Sequence, residues 1–127
     1  MYKIILIIGF IATLSANDSY YKNGKLVELK NLHTARSLNN VDINYFKTEY
    51  GQKVGITDEI LMQCKDGVNC RKVLKDFNII DYTNLTDKIY VIKIHDYDTV
   101  FSLSRKLFES GNVEYAHPNF IKKRTKR

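Results

Sequence analysis

The segment EILMQCKDGVNCRKVLKDFNIIDYTNLTDKIYVIKIHD, residues 59–96, decides the fold because its hydrophobic pattern changes period along the chain. A short apolar run predicts a strand at 59–65. An apolar face at helical spacing then predicts a helix at 70–77, capped by Asn69. Two runs rich in β-branched and aromatic residues predict strands at 78–84 and 89–96, with residues 85–88 as the connection.

The segment TVFSLSRKLFESGNVEYAHPNF, residues 99–120, adds a second helix and a last strand. Asp98 is predicted to cap the helix and Gly111 to end it, and Pro118 restricts the strand to a sheet edge or end. The apolar stripe of the helix comprises Val100, Leu103, Leu107 and Phe108. From residue 59 the order is strand, helix, strand, strand, helix, strand. We therefore expect an α+β, ferredoxin-like split βαβ core over residues 59–121, with an antiparallel sheet and two helices on one face.

Residues 17–58 give weaker patterns. A short strand is predicted around Leu26 and Leu29, after a turn at Asn23-Gly24, and the polar stretch that follows predicts an extended lead-in with little regular structure. The strand at 89–94 is apolar on both alternating sets except at Lys93. A sheet face that met only water would alternate more cleanly. We expect the second sheet face to be covered, either by a partner or by residues 20–50.

The N-terminal residues MYKIILIIGFIATLSA predict a secretory signal peptide over residues 1–16. Lys3 precedes an apolar run, Ile4–Leu14, and the small residues Ser15-Ala16 follow, which is typical of such signals. The run is shorter than the roughly 20 residues of a spanning helix. We expect a mature chain from about residue 17 that is secreted or periplasmic and has no stable membrane span. An uncleaved anchor is the alternative.

The formal charge of +6 is concentrated in the basic C-terminal tail, residues 122–127. Lys3 and five tail residues account for six of the 20 basic residues, so residues 17–120 carry 14 basic and 14 acidic side chains. A protein that binds nucleic acid through its fold usually spreads basic residues over one folded surface. We therefore expect no nucleic-acid partner.

Cys64 and Cys70 lie between the first predicted strand and the first helix. In an exported protein we expect either a disulfide or two buried thiols. Copper chaperones carry Met-x-Cys-x-x-Cys at this place, so a Cu(I) site is a third alternative, although five residues separate the cysteines here. His33, His95 and His117 lie on different elements, so we expect no metal site and no cofactor.

The segment FSLSRKLFESGNVEYAHPNFIKK, residues 101–123, resembles the end of the N-terminal prodomain of bacterial subtilisin-like serine proteases. In that family a helix of the type ANKLYESG leads into a strand of the type VEYAEPNYI. The resemblance is most specific at Glu109-Ser110-Gly111 and at Val113–Asn119, and it extends from about Tyr20 to Lys123. One departure is His117, since many relatives have glutamate at that position.

The resemblance implies a function as well as a fold. Such prodomains place their open sheet face on two surface helices of the protease domain, and the segment after the last strand enters the active-site cleft like a cleaved product. They help the protease domain to fold and inhibit it until they are degraded. Carried over, Val113–Pro118 would be the docking strand and Phe120–Arg127 the cleft segment. The residues expected to bind the protease are Val113, Glu114, Tyr115, Ala116, His117, Pro118, Asn119, Phe120, Ile121, Lys122, Lys123, Arg124, Thr125, Lys126 and Arg127.

We therefore expect a non-enzymatic inhibitor, a folding chaperone, or both, for a subtilisin-like serine protease domain, and a monomer when free. The chain contains no Gly-Thr-Ser-x-Ala, His-Gly-Thr or Asp-Ser/Thr-Gly motif in which a catalytic triad would lie. One alternative is an exported ferredoxin-like binding module whose basic tail attaches to anionic surfaces. The other is a truncated remnant of a protease precursor.

Overall fold

A computed structural model describes residues 18–38 and 40–122, and within them the protein is an α+β structure with antiparallel sheets. The predicted signal peptide (1–16) and residues 123–127 of the tail lie outside the described residues. The elements in chain order are β1 (Ser19–Lys22), β2 (Lys25–Glu28), β3 (Lys30–Leu38), β4 (Val41–Lys47), β5 (Lys53–Ile56), β6 (Glu59–Cys64), α1 (Cys70–Leu74), β7 (Ile79–Thr86), β8 (Ile89–Ile94), α2 (Val100–Glu109), β9 (Val113–Pro118) and β10 (Ile121–Lys122).

Four strands form the first sheet, in the order β9–β6–β8–β7, and every neighbouring pair is antiparallel. Along β6, Ile60, Met62 and Cys64 are almost fully buried, whereas Leu61 is partly exposed. We call the side of Met62 the inner face and the side of Leu61 the outer face. All four predicted strands of this sheet are confirmed, and Pro118 lies in the edge strand β9, as its missing N–H requires.

The first predicted helix is shorter than expected. Asn69 caps α1, since its side-chain oxygen accepts the N–H of Lys72 at 3.2 Å. The helix ends at Leu74 rather than at Phe77. The N–H groups of residues 75–77 bond to carbonyls three residues earlier, so the chain continues in tighter turns instead of a further α-helical turn.

The second predicted helix begins differently from the prediction. A 3₁₀ turn, Tyr97–Thr99, precedes α2, and the side chain of Asp96 accepts the N–H of Asp98 at 3.1 Å. The prediction that Asp98 caps the helix is therefore wrong. Gly111, at φ 82°, follows α2 in the left-handed region, as predicted. The expected pair of helices is one ten-residue helix and one short helix of five residues.

The predicted irregular lead-in is wrong, because residues 30–56 form most of a second antiparallel sheet, in the order β10–β5–β4–β3. Its buried apolar side chains are Ile43, Phe46, Val54 and Ile56. The three-residue step from Ile43 to Phe46 breaks the period of two, and the register of β3 shifts between Asn31 and Thr34. The sequence therefore lacks the alternation by which strands are predicted.

A separate hairpin joins β1 to β2 through Asn23-Gly24. Both turn residues have positive φ, 53° and 80°, as a two-residue hairpin turn of this kind requires. β1 packs against α2 and β9. The Tyr21 hydroxyl donates to the carboxylate of Glu109 at 2.8 Å, and the Tyr21 ring stacks on Phe108 at 4.7 Å between centroids. The hairpin is thus held against the end of α2.

One continuous hydrophobic core joins the hairpin and both sheets. Phe46 of β4 meets Phe101 of α2 edge to face, with centroids 5.4 Å apart. Of the predicted α2 stripe, Val100 and Leu107 are almost fully buried, and Phe101 is a buried member that the stripe omitted. In residues 18–38 and 40–122 no helix is both long and apolar enough to cross a bilayer.

Candidate functional site

The outer face of the first sheet has an apolar centre built from residues that pair across three strands. Leu61 of β6 is the central residue and lies between one partner on β9 and one on β8. Two rows of paired residues run across β9, β6 and β8 in that order. The first row is His117, Leu61 and Val91, and the second is Tyr115, Gln63 and Ile89. All six side chains are partly buried. We call Leu61, Ile89, Val91 and Tyr115 the outer-face patch.

Charged residues form a margin of this patch. Glu59 pairs with Lys93, which pairs with Asp81 on the edge strand β7. The ammonium of Lys93 also lies 3.1 Å from a carboxylate oxygen of Asp58. The face therefore has the arrangement that protein-binding surfaces show, with apolar side chains in the middle and polar ones at the rim.

Residues 20–50 cover the outer face in part, at its β9 side, where Tyr20, Tyr21 and Thr48 line one cavity together with Tyr115 and His117. Phe46 packs against α2, on the helix side of the first sheet. Tyr20 reaches the margin of the outer face at His117, with ring centroids 6.0 Å apart. The patch keeps its partial exposure, which leaves it accessible to a partner.

His117 stands at the centre of an aromatic cluster. Its ring stacks on Tyr115 at 5.3 Å and on Phe120 at 5.5 Å, and Tyr20 meets Phe120 edge to face at 5.1 Å. The Nδ1 atom lies 2.8 Å from the carbonyl oxygen of Pro118. A carbonyl can only accept, so Nδ1–H donates and Nε2 keeps its lone pair. A cavity of about 310 Å³ adjoins the cluster.

The surroundings of His117 favour its neutral form. Burial lowers the pKa of His117, the bond to the Pro118 carbonyl partly offsets this, and the charge of Lys122 lowers the pKa further. At neutral pH the ring is therefore an uncharged stacking element. It brings no charge to the outer face.

The chain leaves β9 in a direction that Asn119 fixes. Its backbone N–H donates to the carbonyl of Glu59 at 2.9 Å, and its side-chain amide donates to the Glu59 carboxylate at 3.1 Å. Ile121 and Lys122 then pair with Gly55 and Val54 as the edge strand β10 of the second sheet. The last strand of the first sheet is thus connected to the second sheet by two residues, Asn119 and Phe120.

The structure divides the predicted binding residues into three groups. Val113, Ala116 and Pro118 are buried on the inner face, whereas Tyr115 and His117 belong to the outer face and Glu114 is exposed. Phe120, Ile121 and Lys122, expected in a protease cleft, are placed against the chain's own core and second sheet, because β5 offers them a strand edge. Lys123, Arg124, Thr125, Lys126 and Arg127 lie outside the described residues.

The prediction of site residues missed Leu61, Ile89 and Val91, which form most of the outer-face patch. Their signal was present in the sequence. In the strand at 89–94 the side chains on both faces are apolar except Lys93, and the face that carries Ile89 and Val91 is the outer face of the sheet.

Cys64 and Cys70 form a disulfide, with Cα atoms 6.0 Å apart, and both are buried. The sulfurs are thus bonded to each other, which removes the two free thiolates that the Cu(I) alternative requires. Over residues 18–38 and 40–122 there is no group of three or more His, Cys, Asp or Glu side chains that could hold a metal ion.

Comparison of the chain with protein-family models, with curated proteins and with solved structures found no match.

Proposed function

We propose that this protein is a ferredoxin-like, prodomain-type inhibitor, a folding chaperone, or both, for a subtilisin-like serine protease domain. The observation that carries the proposal is the strand order of the first sheet. β8 lies between β6 and β7, and β6 lies between β8 and β9, so the β6–α1–β7 and β8–α2–β9 units interlock. That interlocking is what a split βαβ arrangement requires. The resemblance to prodomains runs through the second unit, at residues 109–119.

The outer-face patch supplies the docking surface in this proposal. Its apolar centre and charged margin suit a partner surface that buries the four patch residues. Burial of such side chains contributes roughly 25 cal/mol per Å² of apolar area removed from water. In this proposal the affinity comes mainly from this patch, which offers the larger apolar area.

The tail supplies the active-site block. Tethered to a docked body, it is present in the cleft at a high effective concentration, and its extended backbone adds hydrogen bonds to the edges of the cleft. The pairing of Ile121 and Lys122 with β5 means that the arm begins after residue 122 unless β10 detaches. We therefore place the inhibitory contact in residues 123–127 and the docking contact on the outer face.

The proposal is tested by inhibition assays with the purified protein, expressed from the full sequence, and with two shortened forms. One form ends at Lys122 and keeps β10, and the other ends at Asn119 and lacks it. A subtilisin-type protease is titrated with each form while it cleaves a chromogenic peptide. We expect the full form to inhibit most tightly, the form ending at Lys122 to bind with weak inhibition, and the form ending at Asn119 to be weaker still.

A salt series distinguishes the proposed function from attraction by the basic tail alone. Attraction between exposed charges is largely screened at moderate salt, whereas contact through an apolar face persists. Inhibition that persists at about 0.5 M salt supports the clamp. If all three forms are digested without inhibiting the enzyme at any salt concentration, the proposed function is wrong.

A further inference from the structure

A second concave surface lies at the edge of the first sheet opposite β9. It is a groove between α1 and β7, which we call the α1–β7 groove, with a volume of about 740 Å³. Binding sites typically measure roughly 300–1,000 Å³. Leu74, Ile79 and Tyr82 form the apolar floor of the groove. Arg71, Lys72 and Lys75 form its basic rim.

The groove exists because α1 is short. Tyr82 pairs with Ile92, whose side chain is fully buried, so Tyr82 lies on the inner face that the helices cover elsewhere. Its side chain is nevertheless 36% exposed, and that of Ile80 is 50% exposed. A helix that ends at Leu74 leaves this part of β7 without a covering layer.

The outer backbone edge of β7 has no ladder partner among the described strands, since β7 pairs with β8 alone. The N–H of Tyr82 donates instead to the carboxylate of Asp81 at 2.8 Å. A carboxylate oxygen here occupies the position that a carbonyl oxygen of an added strand would take. An unpaired strand edge of this kind is a template for pairing with another chain.

Charge at the groove is one-sided. Arg71 and Lys72 of α1 are exposed, as is Lys75 directly after the helix, and Asp81 is the acidic residue that lines the groove. Residues 17–120 as a whole carry equal numbers of acidic and basic side chains. The positive rim is therefore a local feature of this edge, and it complements an acidic ligand.

We propose that the α1–β7 groove binds an extended, acidic segment of a partner protein, which adds as a strand to β7. The backbone of the segment takes up the unpaired edge, apolar side chains contact the floor at Ile79 and Tyr82, and carboxylates meet the α1 cations. A small anionic amphiphile fits less well, because the exposed floor would leave one side of its hydrocarbon chain in water. The strand-addition proposal does not rest on the protease-binding proposal, since the groove lies at the other edge of the sheet, although Asp81 also belongs to the charged margin of the outer-face patch.

The test uses the protein expressed from the full sequence and a fluorescein-labelled peptide, Thr-Glu-Thr-Val-Thr-Glu-Thr-Val. Binding is followed by fluorescence polarisation, and hydrogen exchange reports the backbone amides of β7. We expect saturable binding, new protection of β7 amides, and clearly weaker binding of the same peptide with lysine in place of glutamate.

Three variants locate the site. Lys72→Ala/Lys75→Ala should weaken binding about five-fold, since each exposed ion pair changes affinity by roughly two- to three-fold. The control Lys30→Ala/Lys47→Ala removes two exposed lysines from the second sheet and should bind as the unchanged protein does. Asp81→Ala should tighten binding, because it removes the opposing charge and frees the N–H of Tyr82.

The proposal is overturned if the acidic peptide fails to bind at millimolar concentration, or if both double-lysine variants lose affinity equally. Protection that appears outside β7 also overturns it. If dodecanoate binds in a way that depends on Lys72 and Lys75 while the peptide does not bind, the occupant is a small amphiphile and the strand-addition proposal is wrong.

Discussion

Neighbouring residues of β6 point to opposite faces of the first sheet, so a pair of substitutions there can separate binding from folding. Leu61→Lys changes the central side chain of the outer-face patch, between His117 and Val91. Met62→Ala removes a side chain that is fully buried in the core. If the outer face docks on a protease, the first substitution impairs inhibition and the second impairs stability alone.

The two expected magnitudes differ widely. Truncation of the buried Met62 loses apolar contacts and leaves a cavity, which costs about 2–5 kcal/mol of unfolding free energy. In Leu61→Lys the lysine stem stays on the face and its ammonium reaches water, with Glu59 two residues away on the same side. The unfolding free energy should change by less than about 1 kcal/mol. In a docked complex the ammonium would lack a partner, and a loss of about 2 kcal/mol weakens inhibition about 30-fold.

Urea unfolding followed by circular dichroism measures the first quantity, and the inhibition constant against a subtilisin-type protease measures the second. Met62→Ala is assayed at a temperature at which it is folded, and concentrations are corrected for the folded fraction. The reasoning is refuted if Leu61→Lys inhibits as tightly as the unchanged protein. It is also refuted if Met62→Ala, when folded, loses inhibition as severely as Leu61→Lys.

Three further predictions concern stability. Cys64→Ala/Cys70→Ala should lower the unfolding free energy by about 2 kcal/mol in a urea titration, because the disulfide closes a short loop; an unchanged midpoint would contradict this. Burial lowers the pKa of His117 in the folded protein, so the unfolded chain takes up this proton at a higher pH than the folded protein does. The unfolding free energy should therefore fall as the pH drops below about 6.5. His117→Gln should reduce the dependence of the melting temperature on pH in a series of thermal melts. An unchanged pH dependence would exclude His117 as its source. Gly55→Ala places a Cβ 2.6 Å from Cγ2 of Ile43 and should lower stability by about 1–3 kcal/mol; an unshifted melting temperature would show that Ile43 moves aside freely.

The central strands of the first sheet, β6 and β8, could be predicted because their burial is reflected in local patterns, whereas β7, which has no buried residue, was predicted from its composition and its place between turns. β6 alternates between fully buried and partly buried side chains, and β8 is rich in β-branched residues. The second sheet could not be predicted in this way. β3 has no buried residue among its described side chains, and β4 buries Ile43 and Phe46 three positions apart. These strands depend on contacts made far away in sequence, such as Phe46 with Phe101.

Only part of the candidate site could be predicted, because the facing of its side chains also depends on contacts between strands. The resemblance selected β9, yet a register shift between Val113 and Tyr115 alters which side chains face outward. Simple alternation from the buried Val113 would place Tyr115 and His117 on the inner face, whereas they lie on the outer one. A β-bulge of this kind depends on pairing with β6 and leaves no reliable signal in the strand itself.

The groove beside β7 depends on the length of α1, which sequence patterns overestimated. Val73, Leu74 and Phe77 share one helical face, so the pattern extends to residue 77. The chain tightens into three-residue turns after Leu74 and leaves Tyr82 exposed. Helix ends respond to the tertiary contacts that follow, and these are not encoded in hydrophobic periodicity.

The continuous core has a consequence for how the protein can be divided. Ile56 ends β5 in the second sheet, Ile60 lies near the start of β6 in the first sheet, and both have no exposed surface. Cleavage at residue 58 would leave each fragment with a water-exposed apolar surface, so neither half should fold independently. Heating should give one transition, with equal calorimetric and van't Hoff enthalpies. The hydrophobic pattern places a boundary near residue 58, where the regular pattern begins. The cooperative folding unit should include residues on both sides of that boundary.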